Sequence, residues 1–377
     1  MQILYITDQI YLHGGAEKIL IQKLNYWVQR YGYKVQLITT HQNKKPAFFK
    51  LDDRVKWIDL EMNEETASLL NPKNISQLPK HCQRLKKEIS EYNPDAIFLI
   101  SLGFVRYILP FIAGKYSIYN EYHTSYYGFY LGYRKLPFLQ KLKKQFLYKV
   151  IDIVEGLYTN VIFLNQAEFD HYNKRNAVII PNFFDQTALQ SPIQKKNQVI
   201  SLGRLSYQKG YDLLIDAWEI VSKTIPDWTL EIYGNGENKE ALQKQIAAKK
   251  LGHVIQLNPA TDHVNDKLSE SKFYVMSSRF ETFPMVLLEA MSNGLPVIAF
   301  DCPTGPQSMM SANDSILVER ENVKALAKEI IFLIQNDDLR TEMGRNASEN
   351  VARFNPETVM AQWNQLVHLN AKKKLSK

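Results

Sequence analysis

Short apolar runs alternate with amphipathic stretches along the whole chain, and this alternation constrains the fold more than any other feature. The apolar runs are nearly continuous in Ile, Val and Leu, as in parallel strands that are buried on both faces of a sheet. The stretches between them have helical periodicity; Leu214, Trp218 and Val221, for example, share one stripe. The alternation predicts an α/β protein built on doubly wound parallel sheets. The predicted strands span 2–7, 35–39, 96–101, 161–164, 178–180, 198–202, 229–233, 254–257, 273–276 and 296–299.

The alternation is interrupted once, after PNFFD at 181–185, by a polar segment at 186–197. A chain of 377 residues favours two domains, at about 100–200 residues each. We therefore predict one Rossmann-like domain at 1–185 and a second at 186–355. A final helical stretch at 356–377 could return to the first domain.

Cysteine content and the lack of long apolar segments predict the cellular setting. Cys82 and Cys302 are too far apart in the chain to form a disulfide framework, which favours a reducing compartment. The start of the chain has no basic region followed by an apolar run, and no stretch reaches the ~18–20 apolar residues that span a bilayer. These features predict a cytoplasmic protein, either soluble or peripheral at the inner face of the cytoplasmic membrane.

The net charge of +7 lies in the first half of the chain. Residues 1–185 contain 24 Lys and Arg against 17 Asp and Glu, whereas residues 186–377 contain 22 of each. The segment RKLPFLQKLKKQFLYK at 134–149 has six basic residues, no acid and several large apolar residues. It predicts an amphipathic helix that binds an anionic membrane surface. The alternative is a solvated basic helix whose apolar face packs on the core.

A basic half could also bind nucleic acid, which is a different class of function. The sequence has no zinc-finger spacing and no RRM-type aromatic motif, and its second half is neutral. We therefore expect no nucleic-acid partner.

Two motifs in the first half could contact a ligand. HGGAE at 13–17 follows the first strand, and Gly14 and Gly15 would let backbone N–H groups approach a phosphate or sugar oxygen at the start of a helix. EYHT at 121–124 ends a strand, and His123 could accept or position a proton near neutral pH. The simpler interpretations are a plain strand-to-helix turn for the glycines and a structural histidine for His123.

A pair of cations follows the first strand of the second half, in SLGRLSYQKG at 201–210. Arg204 and Lys209 would lie at the carboxyl end of that strand, where α/β sheets bind ligands. Arg can contact two oxygens at once and Lys supplies a point charge, so the pair could neutralise a diphosphate leaving group. The alternative is two solvated surface charges.

Two glutamates lie in ETFPMVLLEAM at 281–291. Pro284 suits the first turn of a helix, so Glu281 would precede that helix and Glu289 would lie about two turns along it. Because Glu289 stands in an apolar run, it needs a partner such as ribose hydroxyls. The simpler interpretation is a helix-start acid and a salt-bridge partner.

Together these segments resemble family 4 glycosyltransferases, a large retaining group with the GT-B fold. The resemblance covers nearly the whole chain, is most specific in the second half, and implies two Rossmann-like domains that face each other across a cleft. The matching segments are GGAE (14–17), EYHT (121–124), IPNFFD (180–185), SLGRLSYQKGYDLLIDAW (201–218), IYGNGENKEAL (232–242), SSRFETFPMVLLEAMSNGLPVIAFDCPTGP (277–306) and NDSILVE (313–319).

The resemblance implies that the second domain binds a nucleotide sugar. Arg204 and Lys209 would hold the diphosphate, Glu289 the ribose hydroxyls and Glu281 the donor sugar. The remaining donor contacts would come from backbone groups near Phe283, Pro284, Met285 and Val286, and from Asn235 and Gly236 beside the nucleotide.

In the first domain, the resemblance implies that Gly14 and Gly15 approach the diphosphate. His123 would contact the transferred sugar near C6 and assist the reaction. The acceptor would be a glycan or a lipid-linked glycan.

The sequence departs from the commonest pattern of this family at Thr282 and Pro284, where glycines are frequent. The sequence of this region resembles that of the subgroup that builds bacterial surface polysaccharides and lipid-linked oligosaccharides. Donors in that subgroup are often UDP-galactose, UDP-GalNAc, UDP-GlcNAc or UDP-glucose, so transfer of a hexose or N-acetylhexosamine is expected.

No DxD motif stands at a strand end, so we expect a metal-independent enzyme without a cofactor, in which Arg204 and Lys209 neutralise the diphosphate. No carboxylate is well placed as a nucleophile, which favours attack by the acceptor on the face that the diphosphate leaves. A sugar-nucleotide epimerase with the GT-B fold is the alternative enzyme; it would need no acceptor.

Overall fold

A computed structural model describes residues 1–12, 14–62, 72–101, 103–185 and 195–375, without the side chains of 72–75 and 371–375. His13 and residues 186–194, the larger part of the predicted linker, lie outside the described residues. The chain divides into two compact units. Unit 1 contains Met1–Asn182 and Glu357–Lys377, and unit 2 contains Phe183–Pro356. The sequence-based boundaries are 185 and 355, against 182 and 356 in the structure.

Unit 1 is built on a parallel sheet, with helices between successive strands except β2 and β3. Among the described residues its strand order is β3-β2-β1-β4-β5-β6-β7. The strands are β1 (Gln2–Thr7), β2 (Lys34–Thr39), β3 (Lys56–Asp59), β4 (Ala96–Ile100), β5 (Ser117–Glu121), β6 (Asn160–Phe163) and β7 (Ala177–Ile179). The helices are α1 (Gly15–Gln29), α2 (Pro72–Tyr92), α3 (Val105–Ala113), α4 (Tyr126–Arg134), α5 (Phe138–Glu155) and α6 (Gln166–Tyr172).

The C-terminal helix α13 (Pro356–Leu375) completes the core of unit 1. Val359, Trp363 and Val367 recur every four residues and are buried, as expected for one apolar face of a helix. The indole of Trp363 packs edge-on against Phe98 of β4, with ring centroids 5.6 Å apart. Asn370 donates a hydrogen bond to the hydroxyl of Tyr119 on β5. The helix therefore contributes to the same core as the first strands of the chain.

Unit 2 repeats this architecture on a second parallel sheet. The strand order among the described residues is β10-β9-β8-β11-β12-β13. The strands are β8 (Gln198–Leu202), β9 (Thr229–Tyr233), β10 (Ile255–Asn258), β11 (Phe273–Met276), β12 (Val297–Phe300) and β13 (Ser315–Val318). The helices are α7 (Tyr211–Thr224), α8 (Lys239–Ala248), α9 (Val264–Ser269), α10 (Met285–Ser292), α11 (Val323–Gln335) and α12 (Asp337–Val351). Short 3-10 helices span Tyr207–Lys209, Gly305–Ser308 and Ala352–Phe354.

Helix α7 shows how the sequence pattern produces the core of unit 2. The predicted stripe of Leu214, Trp218 and Val221 is fully buried. These side chains pack in one cluster with β8, β9 and α11. Removing one such side chain from water stabilises the fold by about 1.5–3 kcal/mol.

Each sheet has one point at which the strand order reverses, and ligands bind at such points in α/β proteins. In unit 1 the reversal lies between β1 and β4, and in unit 2 between β8 and β11. The loops that leave the carboxyl ends of these four strands carry most of the predicted site residues.

The prediction of one amphipathic helix across 134–149 is wrong in its boundaries. Helix α4 ends at Arg134, and α5 begins at Phe138 with Pro137 as its N-cap residue. Proline lacks the N–H that a continuous helix requires and disfavours helical geometry in the residue before it, which explains the break.

Candidate active site

The predicted site residues of unit 2 converge at the β8–β11 reversal. Strand β8 leads into the loop with Arg204 and Lys209, and β11 leads into the loop with Glu281. Two glycines allow close approach at this sheet end, Gly210 between the loops after β8 and β11, and Gly234 between the loops after β8 and β9. A Cβ at Gly210, which has φ +63°, would lie 2.1 Å from the carbonyl oxygen of Ser277. A Cβ at Gly234 would lie 1.9 Å from the carbonyl oxygen of Gly203, so neither position can hold a side chain without movement of the backbone.

Lys209 and Glu281 form an ion pair at the centre of this site. The ammonium of Lys209 lies 2.7 Å from Oε1 of Glu281, and their side chains are 16% and 8% exposed. Ser278 donates to the same oxygen at 2.8 Å. Gln208 donates to the other carboxylate oxygen at 3.4 Å and to the carbonyl of Phe280 at 3.0 Å. Three side chains thus hold the carboxylate of Glu281, and the partly exposed ammonium of Lys209 lies beside it at the carboxyl end of the sheet.

Arg204 lies in the same loop and is exposed. Its guanidinium makes no hydrogen bond or ion pair with any residue that the structure describes. The side chain of Lys209 lies across the start of this loop, because a Cβ at Gly203 would be 3.0 Å from Cε of Lys209. The loop therefore presents one free cation and one cation shared with Glu281.

Arg279 is a residue of this site that sequence reasoning missed. Its guanidinium forms a two-pronged ion pair with Asp212, at 2.9 and 2.6 Å, and donates to the carbonyl of Tyr207 at 2.8 Å. It also lies over the ring of Tyr207, 4.2 Å from the centroid. Arg279 thereby fixes the 3-10 turn that carries Lys209. Its place two residues before Glu281, at the end of a buried strand, was the available sequence signal.

A third loop, which follows β12, supports Glu281 from behind. The hydroxyl of Thr304 donates to the backbone carbonyl of Glu281, and the two residues form an isolated parallel bridge. Thr304 has φ +73° and ψ −134°, a backbone conformation that is costly for a β-branched residue. A strained, buried threonine that holds the backbone of Glu281 is a feature typical of functional sites.

Helix α10 carries the second glutamate of the motif. The structure places Pro284 at the N-cap of α10, one residue before the predicted position, and Glu289 just over one turn into the helix. Burial raises the pKa of Tyr274, and the charges of Glu281 and Glu289 raise it further. The Tyr274 hydroxyl donates to the carbonyl of Leu202 at the end of β8.

The other predicted donor-binding residues of unit 2 border the same loops. Phe283 and Pro284 are buried, and Met285 and Val286 are half-buried in the first turn of α10. The carbonyl of Asn235 accepts from the backbone N–H of Leu205 at 2.8 Å, and a Cβ at Gly236 would lie 2.4 Å from the carbonyl oxygen of Leu205. The turn after β9 is thus packed against the loop that carries Arg204. The structure brings all these predicted positions of unit 2 to one end of its sheet.

Unit 1 has a pocket of about 200 Å³ at its own β1–β4 reversal. His123 and Glu121, from the end of β5, line it together with Asp8, Glu17 and Ser101. Ser101 donates to Asp8 at 2.5 Å. Three carboxylates and several hydroxyl and backbone groups suit the hydroxyls of a sugar.

Gly14 and Gly15 lie at the start of α1, beside this pocket. Gly14 is the N-cap residue and α1 begins at Gly15. The carboxylate of Glu17 lies against Gly14, where a Cβ would be 2.1 Å from its Oε2, and accepts from Gln9 at 2.6 Å. This carboxylate favours the positive end of the helix. A phosphate that contacts Gly14 must therefore displace it.

His123 is oriented by Glu121, a carboxylate that the sequence analysis named only as part of a motif. Its Nε2 lies 3.2 Å from Oε2 of Glu121, and Lys23 of α1 contacts the same oxygen at 2.5 Å. The side chains of Lys23 and Glu121 are fully buried.

The basic segment 134–149 forms an exposed surface rather than part of the core. Helix α4 buries none of its residues, and α5 buries only Ile151, Val154 and Glu155. Large apolar side chains of α5 are exposed, among them Phe138 (73%), Leu139 (77%), Leu142 (48%) and Phe146 (62%). We name residues 134–149 the basic apolar surface.

The described residues contain neither a membrane-spanning helix nor a cluster of metal ligands. No helix in the described part of the chain combines the length and apolar character that crossing a bilayer requires. Within the same residues, no group of three or more His, Cys, Asp or Glu side chains is arranged to hold a metal ion.

Comparisons with known proteins agree with this geometry. Residues 184–350 match the family model described as glycosyl transferases group 1. Over 97% of its length, the chain is 26% identical to the amylovoran biosynthesis glycosyltransferase AmsD of Erwinia amylovora, 99% of which is covered. It is 23% identical, over 94% of the chain and 95% of the relative, to an N-acetylgalactosaminyltransferase of Campylobacter jejuni named for a GalNAc-GalNAc-diNAcBac-PP-undecaprenol acceptor.

Among solved structures, the chain is similar to HepE of Anabaena in complex with UDP and glucose. The TM-score is 0.73 at 19% identity, over 97% of this chain and 99% of that one. The paired doubly wound sheets and this likeness define the class as the GT-B fold, which confirms the predicted fold class. The chain is a glycosyltransferase, and its residues 184–350 carry the likeness to the glycosyl transferases group 1.

Proposed function

We propose that this protein transfers a hexose or N-acetylhexosamine from a UDP-sugar to a glycan or lipid-linked acceptor in bacterial polysaccharide biosynthesis, with retention of the anomeric configuration. The observation that carries the proposal is the Lys209–Glu281 pair beside the exposed Arg204. Cations and a carboxylate at one strand end match the two chemistries of a nucleotide sugar, since cations bind a diphosphate and a carboxylate binds hydroxyls.

Relatives support the choice of substrates. AmsD is named for amylovoran biosynthesis, and the Campylobacter enzyme is named for an undecaprenol-linked acceptor. HepE was solved with UDP and glucose. A UDP-linked donor and an acceptor carried on a polyprenyl diphosphate are therefore the first substrates to test.

In the proposed reaction, the bond between the anomeric carbon and the diphosphate oxygen breaks, and its electron pair leaves with UDP. The acceptor oxygen bonds to the anomeric carbon on the same face, and its proton passes to the departing diphosphate. Arg204 and Lys209 stabilise the charge that develops on UDP. His123 of unit 1 is proposed to bind sugar hydroxyls in the pocket that it lines.

We further propose that the two cations replace a divalent metal. Turnover in EDTA should then equal turnover in magnesium. A loss of more than about tenfold in EDTA, restored by magnesium, would contradict the metal-independent mechanism.

The test of the function is UDP release from a panel of UDP-sugars with a polyprenyl-diphosphate glycan as acceptor. Lys209→Ala and Glu281→Ala should each reduce turnover, whereas Lys223→Ala should not, because Lys223 is 71% exposed and pairs only with Glu219 of its own helix. Wild-type turnover in both site variants would refute the assignment. An epimerised sugar nucleotide formed without acceptor would refute the transferase.

We also propose that the basic apolar surface binds an anionic membrane, where a lipid-linked acceptor resides. Its support is the exposure of Phe138, Leu139 and Phe146 among six basic residues. Each Lys or Arg near an anionic bilayer contributes about 1 kcal/mol.

Co-sedimentation with phosphatidylglycerol vesicles tests this surface against phosphatidylcholine vesicles. Changing Lys141, Lys143 and Lys144 to Gln removes about 3 kcal/mol, so binding should weaken about 100-fold. Changing Lys239, Lys244 and Lys324 to Gln is the matched control, because these three lysines are exposed but lie in unit 2. Equal recovery with both lipids would refute the proposal.

A further inference from the structure

Glu121 stands between His123 and an ammonium group that is enclosed in the protein. Its Oε2 lies 3.2 Å from Nε2 of His123 and 2.5 Å from Nζ of Lys23. His123 lines the pocket of unit 1, with its side chain 7% exposed. Lys23 is fully buried on α1, which is rare for lysine and indicates that its charge is compensated.

The C-terminal helix closes the back of this arrangement. The ammonium of Lys23 lies over the indole of Trp363, 3.7 Å from the ring centroid. Trp363 is fully buried on α13. An aromatic face attracts a desolvated cation, so the ring holds Lys23 against Glu121.

These contacts keep Glu121 ionised. Burial lowers the pKa of Lys23. Burial opposes ionisation of Glu121, but the charges and hydrogen bonds of Lys23 and His123 outweigh it, so its pKa is lowered. An ionised carboxylate only accepts hydrogen bonds. Nε2 of His123 must therefore carry the hydrogen that it donates to Glu121.

The second ring nitrogen of His123 is left for a ligand. Nδ1 makes no hydrogen bond with the residues that the structure describes. Once Nε2 carries the hydrogen of a neutral ring, Nδ1 has a lone pair and accepts. Because His123 lines the pocket, the hydroxyl of a bound sugar is the group that this nitrogen suits.

We propose that Glu121 is a positioning residue for His123, and that Lys23 and Trp363 hold Glu121 so that Nδ1 accepts a hydrogen bond from a sugar hydroxyl. The identity of the ligand rests on the proposed function, whereas the orientation and tautomer of the ring do not. The C-terminal helix thereby acts on the active site through three contacts.

The decisive comparison is between Glu121→Gln and Lys23→Met/Glu121→Leu. Lys23 and Nε2 of His123 contact the same oxygen of Glu121, so in Glu121→Gln the amide oxygen takes this position and still accepts from both. Glu121→Gln is therefore the control, whereas Lys23→Met/Glu121→Leu removes the acceptor together with the ammonium that would lose its partner. In that double variant Nε2 has no acceptor, and the ring is no longer held in one tautomer.

Nitrogen-15 NMR of the histidine-labelled protein reads the tautomer directly, with His123→Gln to assign the signals. The expected result is the Nε2–H form in the wild type and in Glu121→Gln, and a mixture of the two tautomers in Lys23→Met/Glu121→Leu. The Nε2–H form alone in the folded double variant would overturn the proposal, and this result is independent of whether any UDP-sugar is a substrate.

Kinetics provide the second readout. Lys23→Met/Glu121→Leu should lower kcat about 10- to 100-fold, a usual cost of losing the group that orients a functional histidine, with little change in KM for the donor. Glu121→Gln keeps an oxygen that accepts from Nε2, so its kcat should exceed that of the double variant at least fivefold. Equal kcat in the wild type and the double variant would overturn the proposal.

Trp363 is tested with a matched pair of variants. Trp363→Phe keeps an aromatic face and should retain most of kcat, whereas Trp363→Leu loses it and should approach the kcat of Lys23→Met/Glu121→Leu. Circular dichroism of each variant shows whether it is folded. Equal kcat for folded Phe and Leu variants would remove α13 from the proposal.

Discussion

Replacing Lys209 with Met separates two roles of its ammonium group, because the apolar stem is kept and only the charge is removed. In the structure this charge lies 2.7 Å from Glu281, and both side chains are largely buried. In the proposed reaction the same charge binds the diphosphate. Lys209→Met should therefore affect both folding stability and nucleotide binding.

The two effects have different magnitudes. A hydrogen bond to a charged group contributes about 1.5–3 kcal/mol, so the affinity for UDP should fall about 10- to 150-fold. Breaking a fully buried ion pair costs about 3–5 kcal/mol. Glu281 keeps Ser278 and Gln208 as donors and Lys209 is 16% exposed, so we expect a smaller loss, about 1–3 kcal/mol.

The double variant Lys209→Met/Glu281→Gln distinguishes these effects. It leaves no unpaired charge, so most of the stability should return while UDP affinity stays low. Titration calorimetry with UDP and thermal denaturation without ligand measure the two quantities, with Lys223→Met as the control. Affinity for UDP within twofold of the wild type in Lys209→Met would refute the reasoning.

Three further outcomes follow from other parts of the structure. Gly210→Ala should lower the melting temperature strongly, because Gly210 has φ +63° and no space for a Cβ. The control Gly252→Ala should change it little, because a Cβ there has nothing within 4 Å. Equal shifts would contradict the close packing of the Gly210 loop. Burial raises the pKa of Glu231, so its contribution to stability is present below the unfolded pKa and is lost as the pH rises through the folded pKa. Glu231→Gln should accordingly be more stable than the wild type at pH 7 and equal to it near pH 3 in thermal denaturation; a less stable variant at pH 7 would contradict this. Iodoacetamide at pH 8 should modify the half-exposed Cys82 before the buried Cys302, because burial and Glu281 raise the pKa of Cys302. Mass spectrometry of the folded protein measures the order, and earlier modification of Cys302 would contradict this.

The strands near the centre of each sheet could be predicted from the sequence because they are buried on both faces. In Gln198–Leu202, three of the five residues are apolar and all five are buried. The edge strands Lys56–Asp59 and Ser315–Val318 were missed. They are only four residues long, which is too short for a run to show a strand period.

The unit 2 site could be predicted because parallel strands place the loops that follow them at one sheet end. The resemblance implied that Lys209 and Glu281 contact the same donor although 72 residues separate them, but not that they form an ion pair. The groups that fix this pair were out of reach. The Arg279–Asp212 ion pair spans 67 residues, and the strained backbone of Thr304 depends on tertiary contacts.

In unit 1, the role of Lys23 could not be predicted either. Its position on α1 suggests a solvated lysine, the usual location of this residue type. Only the fold brings it to Glu121, 98 residues away, and to Trp363. Buried charges that are compensated over such separations leave no local pattern in a sequence.

Because α13 supplies Trp363 to the core of unit 1, the first half of the polypeptide lacks part of its interior until the last residues have left the ribosome. Phe183–Pro356 forms a continuous unit and can fold as soon as it is synthesised. The amino-terminal segment emerges first yet acquires its complete set of contacts last. During translation, the burial of Lys23 must wait for a residue that is made 340 positions later.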